Sequence, residues 1–205
     1  MWLNSYQETC IHDEQKKWWW ESSVFRVDYP DGTEECRKEY TSSLSRTLLG
    51  AYCDVHNLLS KQTVEFDVDI SLENRPIHKI RFLVLPIHTI AEASSLEDKE
   101  ELSIATMPYV WGIYRAEMLE LFSPKTMYHL IGLRDDFISI LVDRYPFFSG
   151  ILYVDSHLSD INMKCIVREE DQTMDVIITD LSGYIKMFGT MCDIDQLNAY
   201  KTLQS

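Results

Sequence analysis

Residues 150–160 read GILYVDSHLSD, and residues 176–182, which follow a strand-like run and an acidic turn, read VIITDLS. In both stretches an apolar run leads into acidic residues. Asp155 and Asp160 are five positions apart, and Asp180 follows a hydrophobic strand-like run. Carboxylate oxygens are hard ligands of the kind that bind magnesium. We therefore expect the carboxylates of these three aspartates to converge on one cleft.

Composition limits the classes of function that the chain can have. It has 205 residues, 45% of them hydrophobic, which suffices for one core of ordinary size or for two small lobes that share a cleft. The formal net charge of −14 argues against binding to a nucleic-acid backbone or to an anionic membrane surface, because both require clustered Lys and Arg. A basic protein is the partner that this charge favours.

Cysteine usage and hydropathy predict a soluble intracellular protein. The five cysteines are an odd number, are widely scattered and form no Cys-x-x-Cys pair, so we expect reduced thiols. No run approaches the roughly 18 apolar residues of a membrane helix. The polar, charged N-terminus lacks the pattern of a signal peptide.

The first half of the sequence predicts strands and one helix. Residues 24–29 and 34–40 predict a hairpin, because Pro30, Asp31 and Gly32 between them suit a tight turn. A helix is predicted over residues 42–60, where apolar residues recur every three or four positions. Strands are predicted at residues 64–70 and 77–85.

The second half predicts more helix. Residues 91–101 are rich in Ala, Ser, Glu, Asp and Lys, which favours a linker between an N-terminal unit, residues 1–90, and a C-terminal unit, residues 91–205. The helices predicted in the second unit cover residues 109–122, 127–145 and 196–203. The strands predicted there cover residues 151–154, 163–167, 174–178 and 184–188.

Several of these segments resemble, in this order, the haspin-type atypical protein kinases. VFRVDYPDGTEECRKEY is similar to the second and third strands of a kinase small lobe, and RFLVLPIHT to the strand that leads into the hinge. GILYVDSHLSD resembles the catalytic loop, and DLS at residues 180–182 resembles the haspin form of the metal-binding triplet. CDID and QLNAYK resemble a stretch after the activation segment and the start of the next helix.

The resemblance implies a reduced, two-lobed α+β fold of the protein-kinase type. Residues 1–90 would form a small lobe with an antiparallel sheet and one helix, and residues 91–205 a mainly helical lobe with short hairpins. The implied activity is that of a protein serine/threonine kinase that uses ATP and magnesium. A basic substrate such as a histone tail, and a location in the nucleus, follow from the resemblance alone.

The resemblance also implies roles for individual residues. Asp155 would accept the proton of the substrate hydroxyl or orient that hydroxyl, and Lys38 would hold the α- and β-phosphates. Asp160, which replaces the usual Asn, and Asp180 would bind magnesium. The implied nucleotide contacts are Val24, Lys38 and the backbone from Leu85 to Ile87.

Departures from the kinase pattern leave two rival functions open. No glycine lies between Met1 and Tyr29, and the predicted helix contains no Glu, its only acid being Asp54. Both features are typical of a catalytically inactive pseudokinase that serves as a binding module. The other rival is an unrelated acidic α+β interaction protein, such as an inhibitor or adaptor.

Each candidate residue has a simpler structural explanation. Asp155 and Asp160 lie among serines, and such clusters after a strand often form turns or helix caps. Lys38 lies between Arg37 and Glu39, which is typical of a solvated charged face. A register with His157 and Asn162 as the active pair is disfavoured because it lacks a base, and the tryptophans at residues 18–20 are expected to cover the small lobe.

Overall fold

The computed structural model describes residues 7–12, 22–40, 46–94, 101–114, 117, 120–150, 163–179, 181 and 192–204. The N-terminal elements are β1 (Gln7–His12), β2 (Ser22–Asp28), β3 (Glu34–Tyr40), α1 (Arg46–Leu59), β4 (Thr63–Leu72) and β5 (Arg75–Val84). Next come β6 (Thr89–Ser94), β7 (Glu101–Pro108), β8 (Ile113–Tyr114) and α2 (Pro124–Arg144). The last are a 3₁₀ turn (Pro146–Phe148), β9 (Met163–Arg168), β10 (Thr173–Ile178) and α3 (Ile194–Gln204).

The described strands form two sheets, so the fold belongs to the mixed α+β class, as predicted. Sheet A has the order β1-β2-β3-β7-β6, and all of its neighbouring strands are antiparallel. Sheet B has the order β4-β5-β10-β9-β8 and is mixed, because β5 and β10 are parallel. The division at residues 90 and 91 does not coincide with the two sheets, since β7 joins sheet A and β4 and β5 join sheet B.

The hairpin of β2 and β3 confirms the first prediction. Gly32 has a φ of +85°, a conformation that glycine adopts without a steric penalty, and its N–H donates to the carbonyl of Tyr29 at 3.0 Å. The Asp31 carboxylate accepts from the Thr33 N–H at 2.9 Å. This turn sets the register in which Val24 lies opposite Lys38.

The helix α2 also confirms its prediction, with a shift at its start. Ser123 is the N-cap, and its hydroxyl accepts from the backbone N–H of Thr126 at 3.2 Å. Pro124 therefore lies in the first turn, where its missing N–H has no intrahelical partner to lose. The helix packs on sheet B through Phe137, whose ring stacks on Phe82 at 5.2 Å between centroids.

Two predicted segments are wrong where the structure describes them. The expected linker begins inside β6, which pairs along its whole length with β7. The first part of the helix expected over residues 109–122 is replaced by residues 109–112, which have no regular secondary structure, and by β8, whereas residues 117, 120 and 121 are helical as expected. Trp111, which lies in the non-helical part, is 58% exposed. The strands expected at residues 151–154 and 184–188 and the tryptophans at residues 18–20 lie outside the described residues.

No helix in the described part of the chain is both long enough and apolar enough to cross a membrane.

Candidate functional site

The predicted acidic residues lie outside the described part of the chain, but the elements that lead to them are described. Asp155, His157, Asp160 and Asn162 fall in residues 151–162, and Asp180 follows the last described residue of its strand segment. The strand β9 directly follows residues 151–162 in the sequence, and β10 and Thr179 directly precede Asp180. The convergence of the three carboxylates therefore stays a prediction.

Lys38 is buried and extends towards this region. It lies on β3, is 6% exposed, and has Val24 of β2 and Ala105 of β7 as its cross-strand neighbours. Its ammonium donates to the carbonyl oxygen of Thr179 at 3.4 Å. Because Thr179 directly precedes Asp180 in the sequence, Lys38 is at the end of β10 where the chain leads into the predicted metal site.

The interpretation of Lys38 as part of a solvated charged face is wrong. Its neighbours Arg37 and Glu39 point to the opposite face of sheet A, since side chains alternate along a strand. There Arg37 forms ion pairs with Glu8 of β1 and with Glu39, the latter at 2.8 Å. A charged run in the sequence thus places two residues at the surface and one lysine inside.

The only acid of the predicted helix takes another partner. Asp54 of α1 pairs with Lys201 of α3, with a nitrogen–oxygen distance of 2.5 Å. Both side chains of this pair are largely exposed, at 37% and 48%. The described helix therefore supplies no carboxylate to Lys38, as the absence of Glu from its sequence suggests.

The backbone groups of Leu85 and Ile87 have partners inside the protein, which argues against the adenine contacts expected of them. The N–H of Leu85 donates to Ile178 at 2.8 Å, and its carbonyl accepts from His56 at 2.9 Å. The N–H of Ile87 donates to the side-chain oxygen of Asn57 at 2.9 Å. These groups hold β5 to β10 and to α1, so they are committed to the core. The physical reason is the pairing of β5, which lies in sheet B rather than beside β3.

His56 joins three parts of the core. It is fully buried on α1, its Nδ1–H donates to Leu85, and its Nε2 accepts from the backbone N–H of Leu181 at 3.1 Å. These partners fix the tautomer, because a backbone N–H can only donate and a carbonyl can only accept. The residue after Asp180 is thereby tied to α1 and to the end of β5.

Residues 109–112, which we call the connecting segment, join β7 of sheet A to β8 of sheet B. This segment lies close against β9 at Gly112. A Cβ at that position would lie 2.9 Å from the carbonyl oxygen of Cys165, so the close approach requires glycine. Tyr109 donates its N–H to Glu34 at 3.2 Å, and its ring contacts Trp111 edge-to-face at 5.1 Å. This segment, and not Leu85 to Ile87, follows the strand that pairs with β3.

Lys164 is a second buried cation beside this segment, and the sequence analysis missed it. It lies on β9, is 7% exposed, and donates to the carbonyl oxygen of Val110 at 2.5 Å. Its ammonium also lies 4.6 Å from the centre of the Tyr109 ring, a cation–π contact. Burial lowers the pKa of Lys164, opposed by the charges of Tyr109, Cys36 and Glu117. A lysine inside the apolar run MKCIV was the signal in the sequence.

Lys38 of sheet A bonds to Thr179 at the end of β10, and Lys164 of sheet B bonds to Val110 after β7; we call the region between these two lysines the inter-sheet crevice. Cys36 lies close enough to Lys164 to influence its pKa, and Cys36 and Lys38 share one face of β3 because they are two positions apart. Cys36 and Lys38 are about 7 Å apart along β3, so Lys164 of β9 lies near the same face of that strand. In a chain of net charge −14, two buried ammonium groups in one crevice favour an anionic ligand.

Arg26 forms the outer rim of the inter-sheet crevice. Its guanidinium lies over the Trp111 ring at 4.5 Å, and it pairs with Asp28 at 2.7 Å and with Glu34 at 3.0 Å. The hydrogen bond to Asp28 is the main cause of the raised pKa of Arg26. This rim fixes Trp111 at the surface of the connecting segment.

A separate apolar pocket lies on the other face of sheet B. It is lined by Phe82, Met127, Leu130, Ile131, Arg134, Met163 and Val176. Val176 and Phe82 alternate with residues of the opposite face, so this pocket does not open towards Lys164. The polar side chain among these residues, Arg134, donates to Asp135 at 3.2 Å.

Among the described residues, we looked for reactive thiols and for clusters of metal-ligating side chains. Burial raises the pKa of the Cys165 thiol to about 12 and that of Cys192 to about 11, so neither is an activated nucleophile. Within the ranges that the structure describes, no group of three or more His, Cys, Asp or Glu side chains could hold a metal ion. The predicted magnesium ligands Asp160 and Asp180 lie outside those ranges.

In the comparisons with known proteins, no protein-family model and no curated protein matches this chain.

Proposed function

We propose that the inter-sheet crevice binds a nucleoside triphosphate with magnesium and that the chain is a reduced protein-kinase-like serine/threonine kinase. The observation that carries this proposal is the contact between Lys38 and Thr179. A buried lysine on the third strand, directed at the residue before a strand-end aspartate, is the pairing that a kinase needs between its phosphate-binding Lys and its metal-binding Asp.

The surrounding elements support the same function. Sheet A is antiparallel, its third strand leads to the single helix α1, and the hairpin of β9 and β10 leads from Asp160 to Asp180. The segment at residues 109–112 then takes the role of the adenine-contacting backbone that the sequence resemblance assigned to Leu85 and Ile87. Val24, which lies opposite Lys38 on β2, would contact the nucleotide in this proposal.

In this proposal each residue performs one task. Lys38 holds the phosphates, and Asp155 orients the substrate hydroxyl and accepts its proton. Asp160 and Asp180 would hold magnesium, which neutralises the charge on the phosphates during transfer. Phosphoryl transfer depends mainly on positioning and on electrostatic stabilisation, so these few groups are sufficient. The acidic chain favours a basic protein substrate such as a histone tail.

One observation favours a nucleotide-binding pseudokinase as the second candidate. Active kinases orient the phosphate-binding Lys with an acid of the following helix, whereas Asp54 pairs with Lys201. Lys38 would then retain nucleotide affinity without the alignment that transfer requires.

Thermal denaturation in the presence of nucleotide tests the proposal. We expect magnesium with ATP or GTP, each at millimolar concentration, to raise the melting temperature of the wild-type chain by several degrees. Lys38→Met should abolish that rise. Lys79→Met is the matched control, because the Lys79 side chain is 42% exposed and pairs with Glu65 at 3.0 Å.

Transfer of labelled phosphate to a basic histone-tail peptide separates the two candidates. An active kinase should lose transfer in Asp155→Asn while it keeps the nucleotide-dependent rise in melting temperature. A rise without transfer in the wild type selects the pseudokinase. If no nucleotide changes the melting temperature, both candidates fail and an acidic interaction protein is left.

A further inference from the structure

One buried charge interrupts the apolar face with which α2 packs on sheet B. The residues that α2 buries recur every three or four positions, as on one face of a helix, and Arg134 is the charged residue among them. Its side chain is only 10% exposed. It lines the apolar pocket between α2 and sheet B, together with apolar side chains from both. The pocket is therefore an apolar space with a cation in its wall.

The charge of Arg134 is only partly compensated by the protein. In the part of the chain that the structure describes, its hydrogen bonds go to one oxygen of Asp135, at 3.4 Å from Nε and at 3.2 Å from a terminal nitrogen. Charge-assisted N–H···O bonds are typically about 2.7–2.9 Å long, so both contacts are weak. The Asp135 side chain is 52% exposed, so water also screens its charge. A guanidinium carries five N–H donors in a planar fork, and most of this fork is left for a ligand.

We propose that this pocket binds a small amphipathic carboxylate, with its hydrocarbon chain among the apolar side chains and its carboxylate bonded to Arg134. A carboxylate matches the geometry of the guanidinium fork and accepts N–H bonds from it in pairs. A buried charge without a strong partner carries a desolvation cost, which such a ligand offsets. An uncharged ligand of the same length gains from the apolar walls but not from the cation. The site is separate from the proposed nucleotide site, because it lies on the other face of sheet B.

The size of the pocket favours a short ligand. It holds about 380 Å³ of empty space, including solvent at its mouth. This volume is near the lower end of the range of about 300–1,000 Å³ that is typical of small-molecule pockets. Met127 and Met163 are among the lining residues, and methionine side chains adjust readily to the shape of a ligand. Hexanoate, an unbranched carboxylate with a short chain, is therefore a suitable probe.

NMR titration of the whole chain, isotope-labelled at its methionine methyl groups, tests this inference. Hexanoate should shift the methyl signals of Met127 and Met163, which line the pocket, and leave that of Met107 on β7 of sheet A unchanged. Hexanol has the same chain length without the charge. Because hydrogen bonds to charged groups are the stronger ones, we expect hexanoate to bind at least about tenfold more tightly than hexanol.

Two variants test the role of the cation. Arg134→Met keeps an apolar stem in the pocket wall but removes the charge, so the preference for hexanoate over hexanol should fall to less than about twofold. Arg144→Met is the matched control, because Arg144 lies on the same helix but is exposed and bonds to Gln62. It should leave the affinities for both ligands unchanged.

Three results would overturn the inference. In the wild type, these are hexanol binding as tightly as hexanoate, and methyl signals of Met127 and Met163 that do not move or that move no more than that of Met107. The third is a preference for hexanoate that persists in Arg134→Met, since another group would then bind the carboxylate. The wild-type comparisons need no variant, so poor folding of Arg134→Met does not block the test. The titration contains no nucleotide, so its outcome is independent of the proposed kinase function.

Discussion

Replacing His56 by leucine is expected to lower the free energy of unfolding by about 3 kcal/mol. The substitution removes the partner of two buried backbone groups, the carbonyl of Leu85 and the N–H of Leu181. An unsatisfied buried group costs on the order of 1–3 kcal/mol, and leucine regains part of the lost packing. Urea denaturation followed by circular dichroism measures the change.

A second measurement separates loss of the bridge from general destabilisation. In His56→Leu, the exchange rate of the Leu181 amide hydrogen should rise more, relative to the wild type, than the exchange rates of the α2 amides. The reason is that the Leu181 amide has lost its hydrogen-bond acceptor. His88→Leu is the control, since His88 is largely exposed and should change little. A His56→Leu chain as stable as the wild type would contradict the assignment of these two hydrogen bonds.

Replacing Asp175 by alanine is expected to cost about 2–3 kcal/mol. Asp175 is fully buried in the centre of sheet B, where it accepts from Arg81 at 2.7 Å and from Arg168 at 2.7 Å. Its removal leaves two guanidinium groups facing each other across β10. Arg168 is 54% exposed, so water compensates for part of the loss, and we expect a value below that of a fully buried pair.

Asp175→Asn and Glu65→Ala test the physical cause of this effect. Asparagine keeps the volume of the side chain but removes its charge, so most of the destabilisation should remain if the ion pairs are its source. Glu65 pairs with Lys79 on the same face of the sheet, but both side chains are more than 40% exposed, so its replacement should barely shift the urea midpoint. Equal effects of Asp175→Ala and Glu65→Ala would show that burial of Asp175 does not strengthen its interactions.

Local features of the sequence predicted the elements whose signals are local. The turn residues at 30–32 gave the hairpin of β2 and β3, and apolar spacing gave α1, α2 and the alternation of β4. The helix expected at residues 109–122 is wrong at its start, where the apolar spacing matched a helix by coincidence, although residues 117, 120 and 121 are helical. Tyr109 and Trp111 pack on each other and on Arg26 in a segment without regular secondary structure.

Pairing between distant strands could not be predicted from the sequence. The apolar residues of β5 indicate a central strand, but not that this strand lies parallel to β10, more than 90 positions away. That pairing is what commits Leu85 and Ile87 to the core. Likewise, the sequence around Lys38 shows alternating charges, and only the antiparallel neighbours β2 and β7 bury the lysine. The burial of Lys164 could not be predicted either, because its partners Tyr109 and Val110 lie in a segment that was expected to be helical.

A crystal structure of the chain with magnesium and a non-hydrolysable ATP analogue tests the central claim most directly. We predict that the Lys38 ammonium lies within about 3 Å of a phosphate oxygen and that carboxylates of Asp160 and Asp180 bind one magnesium ion beside it. The account would be contradicted if no nucleotide were bound between Lys38 and Lys164, or if the carboxylates of Asp160 and Asp180 lay on separate surfaces.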